Sequence, residues 1–332
     1  MPKSGTKLTS KQCLMKKIFL VFCLFFIAIN AEAKITILAC EPEWASLAQE
    51  IVKNKAEIKI ATSADQDPRN IEVKTVLATM VRNADLLFCS GGDLESKWFP
   101  TLIARSYNMK IMSNENNVLL ALDYAEKSKI PEEKNTDQIN KDKVVKSGAR
   151  PHLNPHNITK IAAEFTRRIK LIDAVNANFY QKSFDDFSKK WSEAIKKWEE
   201  KAAFLKGVTF VAEDDSWNFL ANWLGLKIVT LVDLQTGAKP NVVSLHNVVN
   251  LLKKNPAEAI IFARFENKKN LLWLRDKTKI RMVLLPFTVG GAANSGDLFQ
   301  LFETTISSLS TDCSSGTCKS FSVQKQTDSS QK

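Results

Sequence analysis

The sequence predicts an α/β protein with two lobes joined by a long helical segment, and three observations lead to that prediction. The chain has 332 residues, 44% of them hydrophobic and 25% charged, which is enough for a packed core without metal or disulfide staples. Short apolar segments alternate with amphipathic segments in two separate stretches, as in parallel α/β sheets. Between those stretches lies a region whose apolar residues recur every three or four positions, which is the spacing of a helix.

Residues 34–153 are predicted to form the first lobe. Its expected strands are 35–39, 58–61 and 84–89, and its helices are expected around Trp44, from Asp67-Pro68, and after Gly91-Gly92. Because helices join the strands, we expect right-handed crossovers and a mostly parallel sheet. Residues 123–149 are rich in Lys, Glu, Asp and Asn, which indicates a charged surface loop.

Residues 154–206 are predicted to form a helical spine between the lobes. Asn154 is suited to cap a helix that starts with Pro155, and a second, aromatic-rich helix ends before Gly207. Residues 207–310 form the predicted second lobe, and 311–332 a disordered tail. The expected strands of the second lobe are 208–212, 228–232, 259–263 and 282–286. Its expected helices are 216–224, 244–254, 268–278 and 297–309.

The first 33 residues have the pattern of a secretory signal. Lys16 and Lys17 precede an apolar run, 18–29, and small residues lead to a cleavage point after Ala33. The run is short for a membrane span, although a retained anchor is the alternative. The sequence therefore predicts an exported, periplasmic protein whose signal peptide, residues 1–33, is removed.

The net charge of +11 falls to +7 without those residues, because five lysines and one glutamate are lost. The remaining excess is spread along the chain rather than gathered in one stripe, so it does not predict nucleic-acid binding.

Four cysteines remain in the mature chain. Cys40 and Cys89 end two strands that we expect to be neighbours, so they form either a bridge or two buried thiols. Cys313 and Cys318 lie in the tail, where a small-loop disulfide and two free thiols are both open.

Several short motifs occur in order along the chain. They are Ala39-Cys40-Glu41-Pro42-Glu43-Trp44, Gln66-Asp67-Pro68, Ala84-Asp85-Leu86-Leu87, Pro151-His152 with Asn154-Pro155, Trp223-Leu224-Gly225-Leu226, and Leu285-Pro286-Phe287-Thr288-Val289-Gly290-Gly291 running into Gly296-Asp297. In this order the chain resembles the zinc/manganese class of periplasmic solute-binding proteins of ABC transporters over nearly all of 35–310. The resemblance implies two Rossmann-like α/β lobes joined by a long rigid helix. It also implies a metal ion held between the lobes by one ligand from each of four loops and delivered to a membrane permease.

The resemblance also assigns ligand positions, and the sequence departs from them. The first family ligand is a His after Asp-Pro, and this chain has Arg69 there. The second is retained as His152, the third corresponds to Asp214, and the fourth, an acidic residue of the last loop, is expected at Asp297. Two neighbours are further candidates: Glu213 can add oxygens, and His156 faces either the cleft or solvent.

The expected ligand set is rich in oxygen. Zinc prefers nitrogen and sulfur ligands, whereas carboxylates suit manganese, magnesium or calcium. The expected cargo is therefore a divalent metal ion, zinc or manganese, with zinc binding weakened by the altered ligands.

Arg69 leaves two readings open, because a guanidinium has no lone pair for a metal. It either pairs with Asp214 or Asp297 and replaces the metal charge with its own, or swings out to solvent. At ~4 Å and an effective dielectric constant of about 20, such a pair interacts by about 4 kcal/mol before desolvation.

The predicted function is the periplasmic solute-binding component of a divalent-metal ABC transporter, with the permease as partner and the chain acting as a monomer. Two alternatives keep the fold: a degenerate site that holds an anionic solute or metal chelate through Arg69, and a surface interaction or adhesin role. An enzyme is not expected, because the sequence has no nucleophile motif, no HExxH and no phosphate loop.

Overall fold

The computed structural model describes residues 34–126, 148–231 and 240–310. The predicted signal peptide, most of the charged loop, the tail and Cys313 and Cys318 lie outside the described residues. No described helix has the length and apolar character needed to cross a bilayer.

The first lobe is a parallel sheet of four strands in the order β2-β1-β3-β4. Its strands are β1 Ile35–Ala39, β2 Ala56–Ile60, β3 Leu86–Cys89 and β4 Val118–Leu120, and its helices are α1 Pro42–Val52, α2 Thr75–Arg82, α3 Phe99–Ser106 and α4 Met109–Ser113. All four residues of β3 are buried, as expected for a strand covered on both faces by helices. The short strand β4 was not predicted, because its three residues are too few to show a periodicity.

The second lobe repeats this topology, with strand order β6-β5-β7-β8 and all pairs parallel. Its strands are β5 Thr209–Ala212, β6 Lys227–Thr230, β7 Ala259–Phe262 and β8 Arg281–Leu284, and its helices are α7 Asn218–Leu224, α8 Val242–Lys254, α9 Lys269–Thr278 and α10 Leu298–Ser310. Each predicted strand is present within one or two residues at either end. The predicted fold of two α/β lobes is thus confirmed.

Two long helices, α5 Pro155–Ile172 and α6 Ala177–Ala202, lie between the lobes in sequence. Asn154 caps α5 as predicted by accepting a bond from the His156 backbone nitrogen. The aromatic stripe of α6 packs as core: Trp191 and Trp198 contact Phe302 of α10. One continuous buried cluster runs from β1 through α5 and α6 into β5 and α10, so the long helix links the lobes through a solid interior.

The segment from Asp67 to Lys74 corrects one prediction, since α2 begins at Thr75 and not at Asp67-Pro68. The Asp67 carboxylate accepts bonds from the Arg69 backbone nitrogen at 3.0 Å and from the Asn70 side chain at 2.8 Å. These local bonds stabilise a turn in place of the first helical turn. As a result Arg69 lies on a loop at the carboxyl end of β2.

Cys40 and Cys89 form a disulfide, which decides between the two readings of that pair. They follow β1 and end β3, neighbouring parallel strands, so the bond fastens the edge of the sheet from which the first-lobe loops leave.

Candidate ligand-binding cleft

The two lobes meet where Arg69, from the loop after β2, contacts Asp214, from the loop after β5. The Arg69 Nη1 donates to Asp214 Oδ2 at 2.8 Å, and the two side chains are 29% and 19% exposed. Both loops leave the carboxyl ends of parallel strands, which is where α/β proteins place ligands. Of the two readings of Arg69, the structure supports the one in which it pairs with Asp214 and not the one in which it points to solvent.

Asp67 fixes the direction of the Arg69 side chain. Arg69 Nε donates to Asp67 Oδ1 at 2.9 Å, and Nη2 donates to Oδ2 at 3.2 Å. Burial acts to lower the pKa of Arg69, but bonds and charges from Asp67 and Asp214 outweigh it and raise that pKa. The guanidinium therefore stays charged and is held by carboxylates on two sides.

Asp214 is held on the opposite side by the chain that follows it. Its Oδ1 accepts from the Ser216 backbone nitrogen at 3.0 Å, which leaves Oδ2 for Arg69. Burial acts to raise the pKa of Asp214, but the charge of Arg69 and the bond from Ser216 lower it below its ordinary value. Asp214 is therefore an anion within the cleft.

Two more carboxyl groups of the second lobe face the same charges. Burial and the neighbouring charge of Asp214 raise the pKa of Glu213. Burial and the charge of Asp214 also raise the pKa of Glu266 to about 8, and Glu266 Oε2 is buried without a hydrogen-bond partner. Four carboxyl groups, those of Asp67, Glu213, Asp214 and Glu266, thus interact with one guanidinium.

His152 lies in a separate, fully buried layer. Its Nε2 donates to the Phe287 carbonyl at 2.8 Å, and its Nδ1 lies 3.0 Å from Glu43 Oε1, although neither of these last two atoms has a hydrogen-bond partner among the described residues. Burial lowers the pKa of His152 although the Glu43 charge acts to raise it. The other Glu43 oxygen accepts from Thr288. Nε2 is therefore bonded to the Phe287 carbonyl, whereas Nδ1 faces the Glu43 carboxyl group without a hydrogen bond.

Arg150 is a second arginine between the lobes, and its side chain is 1% exposed. It donates to both oxygens of Asp93, at 2.7 and 3.1 Å, and lies 3.4 Å from the Ser216 hydroxyl. Its guanidinium also lies over the Phe287 ring at 5.7 Å. The bond to Asp93 and the contacts with Ser216 and Phe287 connect the first lobe to the second.

Two buried glutamates lie below the first-lobe loops. Glu41 accepts from the Ser90 hydroxyl at 2.9 Å, and Glu95 accepts from the Ser90 and Gly91 backbone nitrogens at 2.6 and 3.1 Å. Burial and the charges of Glu95 and Glu43 raise the pKa of Glu41, and burial raises the pKa of Glu95 to about 7.

Asp297 and His156 do not contact this cleft through the bonds they make. Asp297 caps α10: its Oδ1 accepts from the Gln300 backbone nitrogen at 2.8 Å. His156 is half exposed and bonds Glu199 at 2.7 Å. For His156 the structure supports the solvent-facing reading. Asp297 Oδ1 satisfies a free backbone nitrogen at the start of α10, and the ligand role expected for this residue stays a prediction.

The sequence-derived set of His152, Asp214 and Asp297 does not converge. Within 34–126, 148–231 and 240–310, the single group of three donors whose ligand atoms lie within 4.8 Å of one another is Cys40, Cys89 and Glu95. Its two sulfurs are already joined to each other. The bonds that Asp214 makes are to the Arg69 guanidinium and to the Ser216 backbone nitrogen.

The sequence analysis missed Glu266, Asp93, Arg150 and the role of Glu43. Glu43 lies in a quoted motif and Glu266 follows β7 closely, so polar residues after a buried strand were an available signal. The pairing of Arg150 with Asp93 spans 57 residues and has no local signature.

Solved structures of periplasmic metal-binding proteins share this fold. The periplasmic zinc-binding protein TroA of Treponema pallidum matches with a TM-score of 0.68 and 13% identity over 83% of this chain and 98% of that chain. A manganese-bound periplasmic metal-binding protein from Candidatus Liberibacter asiaticus gives 0.67 and 14% over 83% and 98%. A ZnuA crystal structure gives 0.67 and 15% over 84% and 98%. At these identities the likeness establishes the fold.

The family relationship follows from the sequence itself, because the family described as zinc-uptake complex component A, periplasmic, matches residues 37–311. The chain belongs to this family. Zinc-uptake component A proteins are periplasmic solute-binding proteins of metal uptake and not enzymes, so the resemblance and the expected absence of catalysis are confirmed. No curated protein sequence matches the chain.

Proposed function

We propose that this protein is the periplasmic solute-binding component of a metal-uptake ABC transporter, that it carries a divalent cation between its lobes, and that it delivers the ion to a membrane permease. Membership in the zinc-uptake component A family supports the role, and the two-lobed fold supports a cleft for the ion. Export with cleavage after Ala33 and a monomeric state belong to the same proposal.

The observation that carries the proposal is the excess of carboxyl groups in the cleft. Asp67 and Asp214 both bond the Arg69 guanidinium, and the same charge acts on the nearby carboxyl groups of Glu213 and Glu266. Such a surplus of oxygen donors attracts a cation, and hard ions such as Mn²⁺ take oxygen ligands more readily than Zn²⁺ does. We therefore propose manganese as the favoured cargo over zinc.

Asp214 and Glu213 are the proposed ligands from the sequence-derived set. His152 is proposed to hold its loop against the second lobe, because its nitrogens already face Phe287 and Glu43. Asp297 is proposed to act as a helix cap alone.

The alternative of an anionic solute bound by Arg69 has little support from the contacts. All three side-chain nitrogens of Arg69 already donate to carboxylates. An incoming anion would also meet the negative charges of Asp67 and Asp214. No contact in the described part of the chain favours an adhesin role.

The proposal is tested by calorimetry and thermal unfolding of the metal-stripped mature protein with Mn²⁺ and Zn²⁺. We expect one site per chain and a higher melting temperature with metal. Asp214→Asn should remove most of the binding, whereas the same change at Asp297 should leave it intact. Absence of heat and of thermal stabilisation with both ions contradicts the proposal.

A further inference from the structure

Arg69 connects two loops that belong to different lobes and are 145 residues apart in sequence. The loop after β2 supplies the cation and the loop after β5 supplies the anion, so breaking the bond is a condition for separating the loops. The guanidinium lies where the cleft concentrates negative charge. In that position it provides the charge neutralisation that a bound cation would otherwise provide.

The pair is organised in advance on both sides. Asp67 holds Arg69 through Nε and Nη2, which directs Nη1 towards the second lobe. The Ser216 backbone nitrogen holds Asp214 through Oδ1, which directs Oδ2 towards the first lobe. Because both side chains are already oriented, their contact loses less conformational freedom than a contact between two mobile surface chains.

Other hydrogen bonds also join the first lobe to the second. Glu43 of α1 accepts from Thr288, and Ser46 of α1 accepts from the Leu298 backbone nitrogen at 3.0 Å. Arg150 bonds Asp93 and reaches Ser216. The lobes are therefore joined by direct protein contacts, and the bond between Arg69 and Asp214 is one of them.

We propose that Arg69 is a tethered cation that joins the lobes through Asp214 when no cargo is bound, so that the protein closes without a ligand and any incoming cation must displace Arg69. The displacement step rests on the proposed function, whereas ligand-free closure does not. Arg69 thereby lowers the affinity of the protein for a cation.

The test is hydrogen exchange of the chelator-treated mature protein, followed at the Ser216 amide, which is bonded to Asp214. Arg69→Gln should raise the exchange rate of this region by roughly tenfold, the loss expected for one partly buried ion pair. Asp214→Asn should raise it similarly, and the double variant should exchange no faster than either single variant, because both remove one bond.

Arg264→Gln is the matched control. Arg264 bonds Asp65 across the lobes at 3.1 Å, but the two side chains are 46% and 70% exposed, so its loss should leave the exchange rate unchanged. Equal effects of the two arginine variants, or independent effects in the double variant, overturn the proposal.

Cation affinity separates this inference from the proposed function. Arg69→Gln should bind Mn²⁺ at least tenfold more tightly than the wild type, because the competing charge is gone. If neither protein binds a cation, the proposed function fails while the exchange result still decides ligand-free closure. If both bind equally and exchange alike, the tethered cation is overturned and the proposed function remains.

Discussion

Glu95 is a carboxyl group kept in the interior next to a second one, that of Glu41. Its side chain accepts two backbone bonds from the loop after β3, and burial raises its pKa from 4.5 to about 7. Two buried carboxyl groups at short range cannot both ionise easily, so one keeps a proton at neutral pH. The native arrangement of the buried Glu41 and Glu95 carboxyl groups therefore requires that one of them carries a proton.

This predicts that stability falls with rising pH. Because the pKa of Glu95 is higher in the folded protein than in the unfolded chain, its protonation stabilises the native state. This stabilisation is fully present below about pH 4.5 and is lost as the pH rises through 7. The free energy of unfolding should fall by up to about 3 kcal/mol between pH 5 and 8. Urea unfolding across this range measures it.

Glu95→Gln keeps the shape and the two accepted bonds but removes the titration, so its pH dependence should be flatter. Glu50→Gln, at a partly exposed group paired with Lys53, is the control and should follow the wild type. An unchanged slope in Glu95→Gln would show that Glu95 does not hold the proton.

Asp297 stabilises the helix α10 by capping its first turn. Asp297→Ala should lower the free energy of unfolding by about 1 kcal/mol, because a backbone nitrogen at the start of α10 loses its acceptor. Asp297→Asn should keep most of that stability. Loss of cation binding in both variants, with no loss of stability, would restore Asp297 as a ligand.

The disulfide between Cys40 and Cys89 stabilises the edge of the first sheet. It closes a loop of 49 residues, which in the chain-entropy account corresponds to about 4 kcal/mol. The paired variant Cys40→Ala with Cys89→Ala should unfold at correspondingly lower urea concentration, as should the reduced wild type. Identical midpoints with and without reductant would mean that the bond does not stabilise the lobe.

At the scale of the whole molecule, the sequence was sufficient to predict the two repeated sheets and the long helices between them. Alternation of buried strands such as Leu86–Cys89 with amphipathic helices is a local property, and it shows in local composition. The start of α2 was missed because Asp67 bonds its own turn, a competition that periodicity does not register.

The candidate site was less predictable because its contacts join distant segments. Arg69 and Asp214 were both singled out, but the long arginine side chain left its direction open until the loops were placed. For Asp297 the sequence could not separate two roles, because an acidic residue before a helix can be a ligand or a cap. Glu266 was missed because its burial and its charged neighbours depend on the packing of three loops.

The central claim is that the carboxyl groups around Asp214 take a divalent cation in place of Arg69. Anomalous scattering from crystals grown with Mn²⁺ tests it most directly, because it locates the metal and the guanidinium in one experiment. We predict a manganese peak within coordination distance of Asp214 and Glu213, with Arg69 withdrawn from Asp214. A map without a peak in the cleft, with Arg69 still bonded to Asp214 at saturating metal, would contradict the account.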